Sequence, residues 1–568
     1  MDTPKTKTPL PIGRSSFDNM IEGGYYYVDK TLFIRDLLDN GAQVTLCTRP
    51  RRFGKTLNQT MLKCFFENTA PFGGKDTRAL FSGLKIEGTG ERYLAHQGKY
   101  PVIFLSFKEA WSSNFDETCY SFKNMIADEF RRHSYVKEKI AEAADLKRFE
   151  ELASGERDIS IYKDSLRFLS KCLEAYHGIK TVILIDEYDV PLQKSWLSGY
   201  YKEMIDFIRP LLGAALKDSS HLQFAVMTGC LRISKESIFT GLNNLGVVSI
   251  LSPHYDEYFG FMQDELEAML AYYGMNGEAE TLKKWYDGYL FGKSEVYNPW
   301  SIINYVNDRL ADADHNPKPY WSNTSGNDIV HDLVNRANHE TKTELETLMA
   351  GGTISKPIYE DITYDEIYKN IDNLWNFLFF TGYLKKAGKG HQDESGRITL
   401  DLSIPNIELQ YIYTTKIHEW FNQQISEKNL DIFFNAILSG NVETFQTELE
   451  ALLRASISFM DSAENFYHGF MTGVLSRLDG YYVKSNRESG NGRYDLVLCS
   501  VNGRAEKAVI FELKLSKEFK KLPDACAEAL AQIENNNYAA EWEDEGYTDI
   551  MKYGVAFYKK RCMVKKGS

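Results

Sequence analysis

An α/β protein is expected, with a doubly wound parallel sheet at the N-terminal end, a largely helical middle and a smaller α/β domain at the carboxyl end. Three observations predict it. Up to about residue 252, apolar runs rich in β-branched residues (43–47, 100–107, 181–185 and 222–229) alternate with stretches of helical periodicity, which is the pattern of parallel crossovers. From there to residue 350 the alternation gives way to helical stretches with aromatic punctuation. Beyond residue 461, two facing strands carry acids and a lysine at fixed spacing.

Length and composition set the limits. A chain of 568 residues is too long for one core and implies roughly three or four domains of about 150 residues. The expected division is 1–252, 253–355, 356–460 and 461–568. A formal charge of −13 excludes a global basic field, so any nucleic acid must be met by local patches. Eight scattered cysteines, with no C-x-x-C pair, read as reduced thiols. Met1–Gly13 is polar and lacks an apolar signal core, and the longest apolar run, Trp375–Phe380, is too short to span a bilayer. A soluble cytoplasmic protein with no membrane partner is expected.

In chain order, Tyr25-Tyr26-Tyr27-Val28-Asp29-Lys30-Thr31 comes first. Its aromatics could stack on a base, and core packing is the competing reading. Next, the strand 43–47 runs into Arg49-Pro50-Arg51-Arg52-Phe53-Gly54-Lys55-Thr56 and then into a helical run with Leu57, Met61, Leu62 and Phe65 on one face. Strand, loop ending in Gly-Lys-Thr, then helix is the setting of a phosphate-binding loop. Backbone N–H groups of Arg52, Phe53 and Gly54 would face an anion, Lys55 would place a point charge on the outer phosphates, and Thr56 could ligate magnesium. Arg49 stands where the usual pattern has glycine, so Arg49 and Pro50 could pinch the loop.

The strand 181–185 ends in Asp186-Glu187. Acids at the carboxyl edge of a buried strand suit metal holding by Asp186 and water activation by Glu187, whereas a solvated acidic turn is the plainer reading. Strand 222–229 ends near Thr228, which could sense a γ-phosphate, and Arg232 could pair with it in cis or across a subunit boundary, as in a homo-oligomer. A strand end and a surface ion pair explain both residues equally well.

Residues 255–350 read as a helical lid, with Trp285-Tyr286-Asp287-Gly288-Tyr289 and Trp300 mostly in its core. Residues 360–426 give helices, a turn at Gly382, and a strand pair placed at 398–400 and 402–405. This is a winged-helix-like pattern that packs or binds DNA.

The carboxyl end carries the second chemistry. A strand 493–498 containing Asp495 faces Ala508-Val509-Ile510-Phe511-Glu512-Leu513-Lys514 across a turn at 501–504. Alternation puts Glu512 and Lys514 on one face, where Asp495 could complete an oxygen cage for Mg²⁺. Lys514 could hold the attacking water. Glu464, on a helix over 461–475, could add a ligand, and Gln532, on a helix over 524–536, could support Lys514. A surface hairpin with a charge pair is the alternative. Residues 461–568 hold 16 basic and 16 acidic residues, so the negative charge lies upstream. Lys517, Lys520, Lys521, Arg487 and Arg493 form a phosphate-contacting rim or a solvated face.

With these residues in view, the segment 9–250 resembles the AAA-ATPase-like proteins of bacteria and some fungi and protists, through Tyr27-Val28-Asp29-Lys30-Thr31, the Arg49–Thr56 loop and Ile185-Asp186-Glu187-Tyr188-Asp189. The glycine-free loop start is typical of that family. Residues 461–568 resemble the PD-(D/E)XK nuclease domain often fused behind it, through Tyr467-His468-Gly469, Glu488 to Asp495 and Glu512-Leu513-Lys514, with Tyr494 where the motif name has proline. The resemblance implies a restriction-endonuclease-like fold and Glu464, Asp495, Glu512, Lys514 and Gln532 as the nuclease set. It also implies ATP and Mg²⁺ as cofactors, nucleic acid (DNA ahead of RNA) as partner, and roles in defence or mobile elements. The expected function is a nucleotide-regulated, Mg²⁺-dependent nuclease. The rival is a signalling or scaffold ATPase whose last domain binds nucleic acid without cutting it.

Overall fold

A computed structural model of the chain describes residues 7–155, 158–232, 244–321, 328–360, 363–367, 369–392, 394, 396–426, 430–455, 464–485, 488–489, 492–493, 495–501 and 507–567. Two compact units emerge. Residues 1–326 with 355–412 form one, and residues 327–354 with 413–568 form the other.

The first unit is built on a sheet of β1 (Val44–Thr48), β2 (Val102–Ser106), β3 (Thr181–Asp186), β4 (Leu222–Gly229) and β5 (Leu245–Val248), ordered β2-β3-β4-β1-β5. Every pairing is parallel. The chain is α/β, as the alternation predicts. β1 and β3 are buried along their whole length, which explains their unbroken apolar runs. β5 escapes sequence reading because it is a four-residue, half-buried edge strand containing Gly246.

The stretch after β5 is helical, with helices Gln263–Tyr273, Ala279–Tyr286 and Pro299–Ala311, but it also holds an unforeseen hairpin of β6 (Tyr289–Phe291) and β7 (Ser294–Val296). Leu266, Leu270, Leu282, Tyr286, Ile302 and Tyr305 pack into a core of its own. Residues of the Tyr25–Thr31 motif tie this layer down: Lys30 Nζ lies 2.6 Å from Glu265 Oε2, and Tyr26 packs on Tyr272 and Tyr273 at 5.2 and 5.5 Å.

The wing differs from expectation. Residues 398–403 form one strand rather than two, and this β10 (Ile398–Ser403) lies between β8 (Ile354–Ile358) and β9 (Lys385–Gln392). Its true hairpin partner is β9, a run so polar that hydrophobic patterning does not reveal it.

The second unit carries a mixed sheet ordered β11 (Tyr481–Ser485), β14 (Leu496–Ser500), β15 (Lys507–Leu515), β16 (Asp549–Tyr558), β17 (Arg561–Lys566), with β12 (Glu488–Ser489) and β13 (Gly492–Arg493) as a separate short pair. Only β15 and β16 run parallel; their neighbours are antiparallel. β14 begins at Leu496, so Asp495 precedes the strand expected over 493–498 instead of lying inside it. The helix expected over 461–475 is described from Glu464, and the one over 524–536 runs Leu522–Asn535. Arg487, Tyr494 and the turn residues 502–504 lie outside the described residues.

The described thiols are all free, and only Cys230 among them is not buried. Among the described residues no helix is long and apolar enough to cross a membrane.

Candidate active sites

At the carboxyl edge of the parallel sheet, the loop after β1 turns into helix Lys55–Phe66 through two left-handed residues, Arg52 (φ 71°) and Gly54 (φ 85°). The Arg49 side chain is taken up by the ends of β1 and β5. Its fully buried guanidinium donates to the carbonyls of Thr48 (2.9 Å) and Val248 (2.9 Å), and it packs between the rings of Phe259 and Phe291, each 5.2 Å away. Burial lowers its pKa to about 10. It acts as a cationic bolt joining the ends of β1 and β5.

Lys55 is buried and donates to the carbonyls of Arg49 (3.1 Å) and Pro50 (3.0 Å). Burial disfavours its charge, yet Cys230, Glu187, Asp189 and Asp186 together lift its pKa above the ordinary lysine value. Asp186 takes two hydroxyl donors, Thr56 at 2.7 Å and Thr228 at 2.6 Å. Burial raises its pKa against those donors. Glu187 sits at φ 52° with its N–H on Thr228 Oγ1 at 3.3 Å, so the tip of β4 holds the acidic tip of β3 in a strained backbone state.

Lys55, Thr56 and Glu187 face a cavity of about 420 Å³ that is also lined by Arg52 to Gly54, Tyr26, Tyr258 and Trp300. The structure brings Thr56, Asp186 and Thr228 together. Phe53 is among the lining residues, and its ring is buried against Tyr289 and Phe291 at 4.9 and 5.1 Å. Asp186, Thr228 and Arg232 are not among the lining residues. A Thr–Asp pair at the first turn of a loop-following helix is the donor set that a nucleotide-bound Mg²⁺ uses, and Lys55 beside it matches the charge of polyphosphate. The residues fit both groups.

Sequence reading missed two features here. Trp300, taken as lid core, forms a cavity wall with the Arg52 guanidinium 4.3 Å from its ring. Asp189 accepts the N–H groups of Cys230 (2.8 Å) and Leu231 (3.0 Å), fixing the backbone that follows β4. Its place in Asp186-Glu187-Tyr188-Asp189 was the available signal.

In the second unit, the acids and the lysine meet at the carboxyl end of β15. Glu512 is 2% exposed, and among the described residues its Oε2 has no hydrogen-bond partner. Lys514 Nζ lies 3.8 Å from Glu512 Oε1, so the alternation reading holds and the two share a face. Asp495 Oδ2 accepts the Leu513 N–H at 2.8 Å, which pins the acid to the middle of the Glu-Leu-Lys run. His468 Nε2 is 3.0 Å from the Asp495 carbonyl oxygen.

Burial, reinforced by the neighbouring Asp495 charge, pushes the Glu512 carboxyl up to about 8, while Lys514 and Gln532 pull the other way. Gln532 therefore sits against Glu512, with its Nε2 also 3.3 Å from Tyr538 Oη. Glu464 opens its helix, but its side chain lies outside the described residues. Among the described residues no group of three or more His, Cys, Asp or Glu side chains converges. Two carboxylates with an orphaned oxygen fit Mg²⁺, which keeps several waters and needs only one or two protein carboxylates.

Residues 11–239 match the family model described as a predicted AAA-ATPase, and residues 462–567 match that of the PD-(D/E)XK nuclease superfamily. Over 570 aligned residues, 97% of either chain, the sequence is 28% identical to a protein from Azotobacter chroococcum mcd 1 named "Uncharacterized protein in vnfD 5'region". The two matches support a nucleotide-binding protein that carries a nuclease-type domain.

Proposed function

We propose that this chain, which joins a predicted AAA-ATPase domain to a PD-(D/E)XK nuclease domain, is a cytoplasmic nuclease that cuts phosphodiester bonds, DNA ahead of RNA, under the control of bound nucleotide. In the first unit, the loop N–H groups and Lys55 hold the phosphates of ATP, and Thr56 and Asp186 are the residues that would hold its Mg²⁺. Glu187 orients the attacking water, and Thr228 keeps Asp186 and Glu187 in position.

In the second unit, Asp495 and Glu512 would hold Mg²⁺, which when bound supplies a Lewis acid for the scissile phosphate. Lys514 steadies the nucleophilic water and offsets the charge that develops on the phosphate. Gln532 orients Glu512, and His468 fixes the backbone of Asp495.

The observation that carries the reading is the buried Oε2 of Glu512, which has no hydrogen-bond partner among the described residues. Burial disfavours the anionic form of this carboxyl, and a cation in place of its proton would complete the orphaned oxygen. The test is cleavage of DNA and RNA panels with Mg²⁺ by the wild type and by Lys514→Ala. The reading requires products from the wild type alone. No cleavage by either protein, with nucleic acid still bound, leaves the non-cutting scaffold in its place.

A further inference from the structure

Beside the Asp495, Glu512 and Lys514 cluster lies a surface that the proposed chemistry does not use. β15 and β16 run parallel with Lys514 opposite Ala556 and Leu515 opposite Phe557, so their carboxyl ends come out side by side. There the Ser516 N–H donates to the Phe557 carbonyl at 2.8 Å, and the Ser516 hydroxyl donates to the Glu518 carbonyl at 2.8 Å. This short, fixed turn presents Phe519, which is 57% exposed.

A solitary exposed Phe would mean little. This one stands 6.2 Å from the ring of Tyr558, and Lys559 Nζ lies 5.6 Å from the centre of that second ring. Lys517 and Lys520 flank Phe519 and are exposed, while Glu518, the acid of the turn, is paired with Lys521 at 3.0 Å. Among the described residues Lys517, Lys520 and Lys559 form no salt bridge with an acid, so the two rings and their lysines complement a ligand that is both apolar and anionic.

The platform is rigidly tied to the acids. Tyr467 stacks on Phe557 at 4.2 Å and donates to the Lys559 carbonyl at 2.9 Å, and the next residue, His468, contacts the Asp495 carbonyl. One helix turn therefore holds both the Lys559 turn and the backbone of Asp495.

We infer that Phe519 and Tyr558, with Lys517, Lys520 and Lys559, form a stacking platform for a single-stranded nucleic acid whose phosphates continue toward Lys514. Unpaired bases offer a free face to an aromatic ring, whereas the bases of a duplex are already stacked on each other. The inference rests on the nuclease reading of the neighbouring cluster and names its substrate class, an unpaired strand.

The test uses full-length protein in chelator, where nothing is cut, with fluorescent oligo-thymidylate, oligo-uridylate and a duplex of equal length. Anisotropy should show at least one single strand bound more tightly than the duplex. Phe519→Ala should weaken that binding about tenfold and leave the duplex and the thermal midpoint unchanged, and Phe519→Trp should restore it. Lys517→Ala with Lys520→Ala should weaken every probe and flatten the salt dependence. Duplex binding equal to both single strands, no binding at all, or an unchanged Phe519→Ala overturns the platform. Wild-type protein that binds single strands through Phe519 but never cuts with Mg²⁺ supports the platform and ends the nuclease reading, so the two fail separately.

Discussion

Burial, and then the charge of the neighbouring Asp495, push the carboxyl of Glu512 up to about 8, so it keeps its proton at neutral pH. A metal held there, as proposed, would displace this proton. Mg²⁺ affinity should therefore rise with pH and level off above about 8, and calorimetry at pH 7 in buffers of different ionisation enthalpy should show nearly one proton released per metal. No release would contradict the assignment. The same shift works on stability: folded Glu512 keeps a proton that the unfolded chain loses above 4.5, so its contribution without metal falls as pH rises from 4.5 to about 8. Arg49 makes a second claim at this scale. Arg49→Ala strips donors from buried carbonyls at the ends of β1 and β5, and should lower stability by about 3 kcal/mol, read from urea midpoints. If Arg49→Met, similar in bulk, were fully stable, packing and not hydrogen bonding would explain the residue.

Between elements, buried polar groups do the joining. Glu408 is fully buried, accepts the Ser301 hydroxyl at 2.8 Å and the Trp321 N–H at 2.8 Å, and so ties the helix that presents Trp300 to the segment that begins at residue 407. Burial raises its pKa from 4.5 to about 7. Its stabilising effect is present below pH 4.5 and is lost as pH rises to about 7, so Glu408→Gln should flatten the fall in thermal midpoint across that window. An unchanged profile would remove Glu408 from the account. Elements with a strong period were legible: β1, β3 and β4, the helix after Gly54, and the β14–β15 hairpin. β9 was not, because its stability comes from pairing with β10 rather than from an apolar face. At the sites, Asp186, Glu187, Glu512 and Lys514 could be read because strand ends place them. Trp300 and Glu408 could not, since only tertiary packing decides which aromatic lines a cavity and which acid is buried.

For the whole molecule, the account makes nucleotide state the control and phosphodiester cleavage the output, with each function in its own unit. Lys55→Ala removes the cation of the phosphate loop and should abolish nucleotide binding, whereas Glu187→Gln should keep binding and lose turnover. Chelation of Mg²⁺ should stop cleavage in every variant, and Lys514→Ala should slow it about a hundredfold or more. The most direct measurement is the cleavage rate of a single-stranded substrate with Mg²⁺, with and without ATP, in wild type, Lys55→Ala and Lys514→Ala. The account predicts cleavage by the wild type that changes with ATP, cleavage by Lys55→Ala that does not, and none by Lys514→Ala. Cleavage that persists in Lys514→Ala, or that ignores ATP in the wild type, would contradict it.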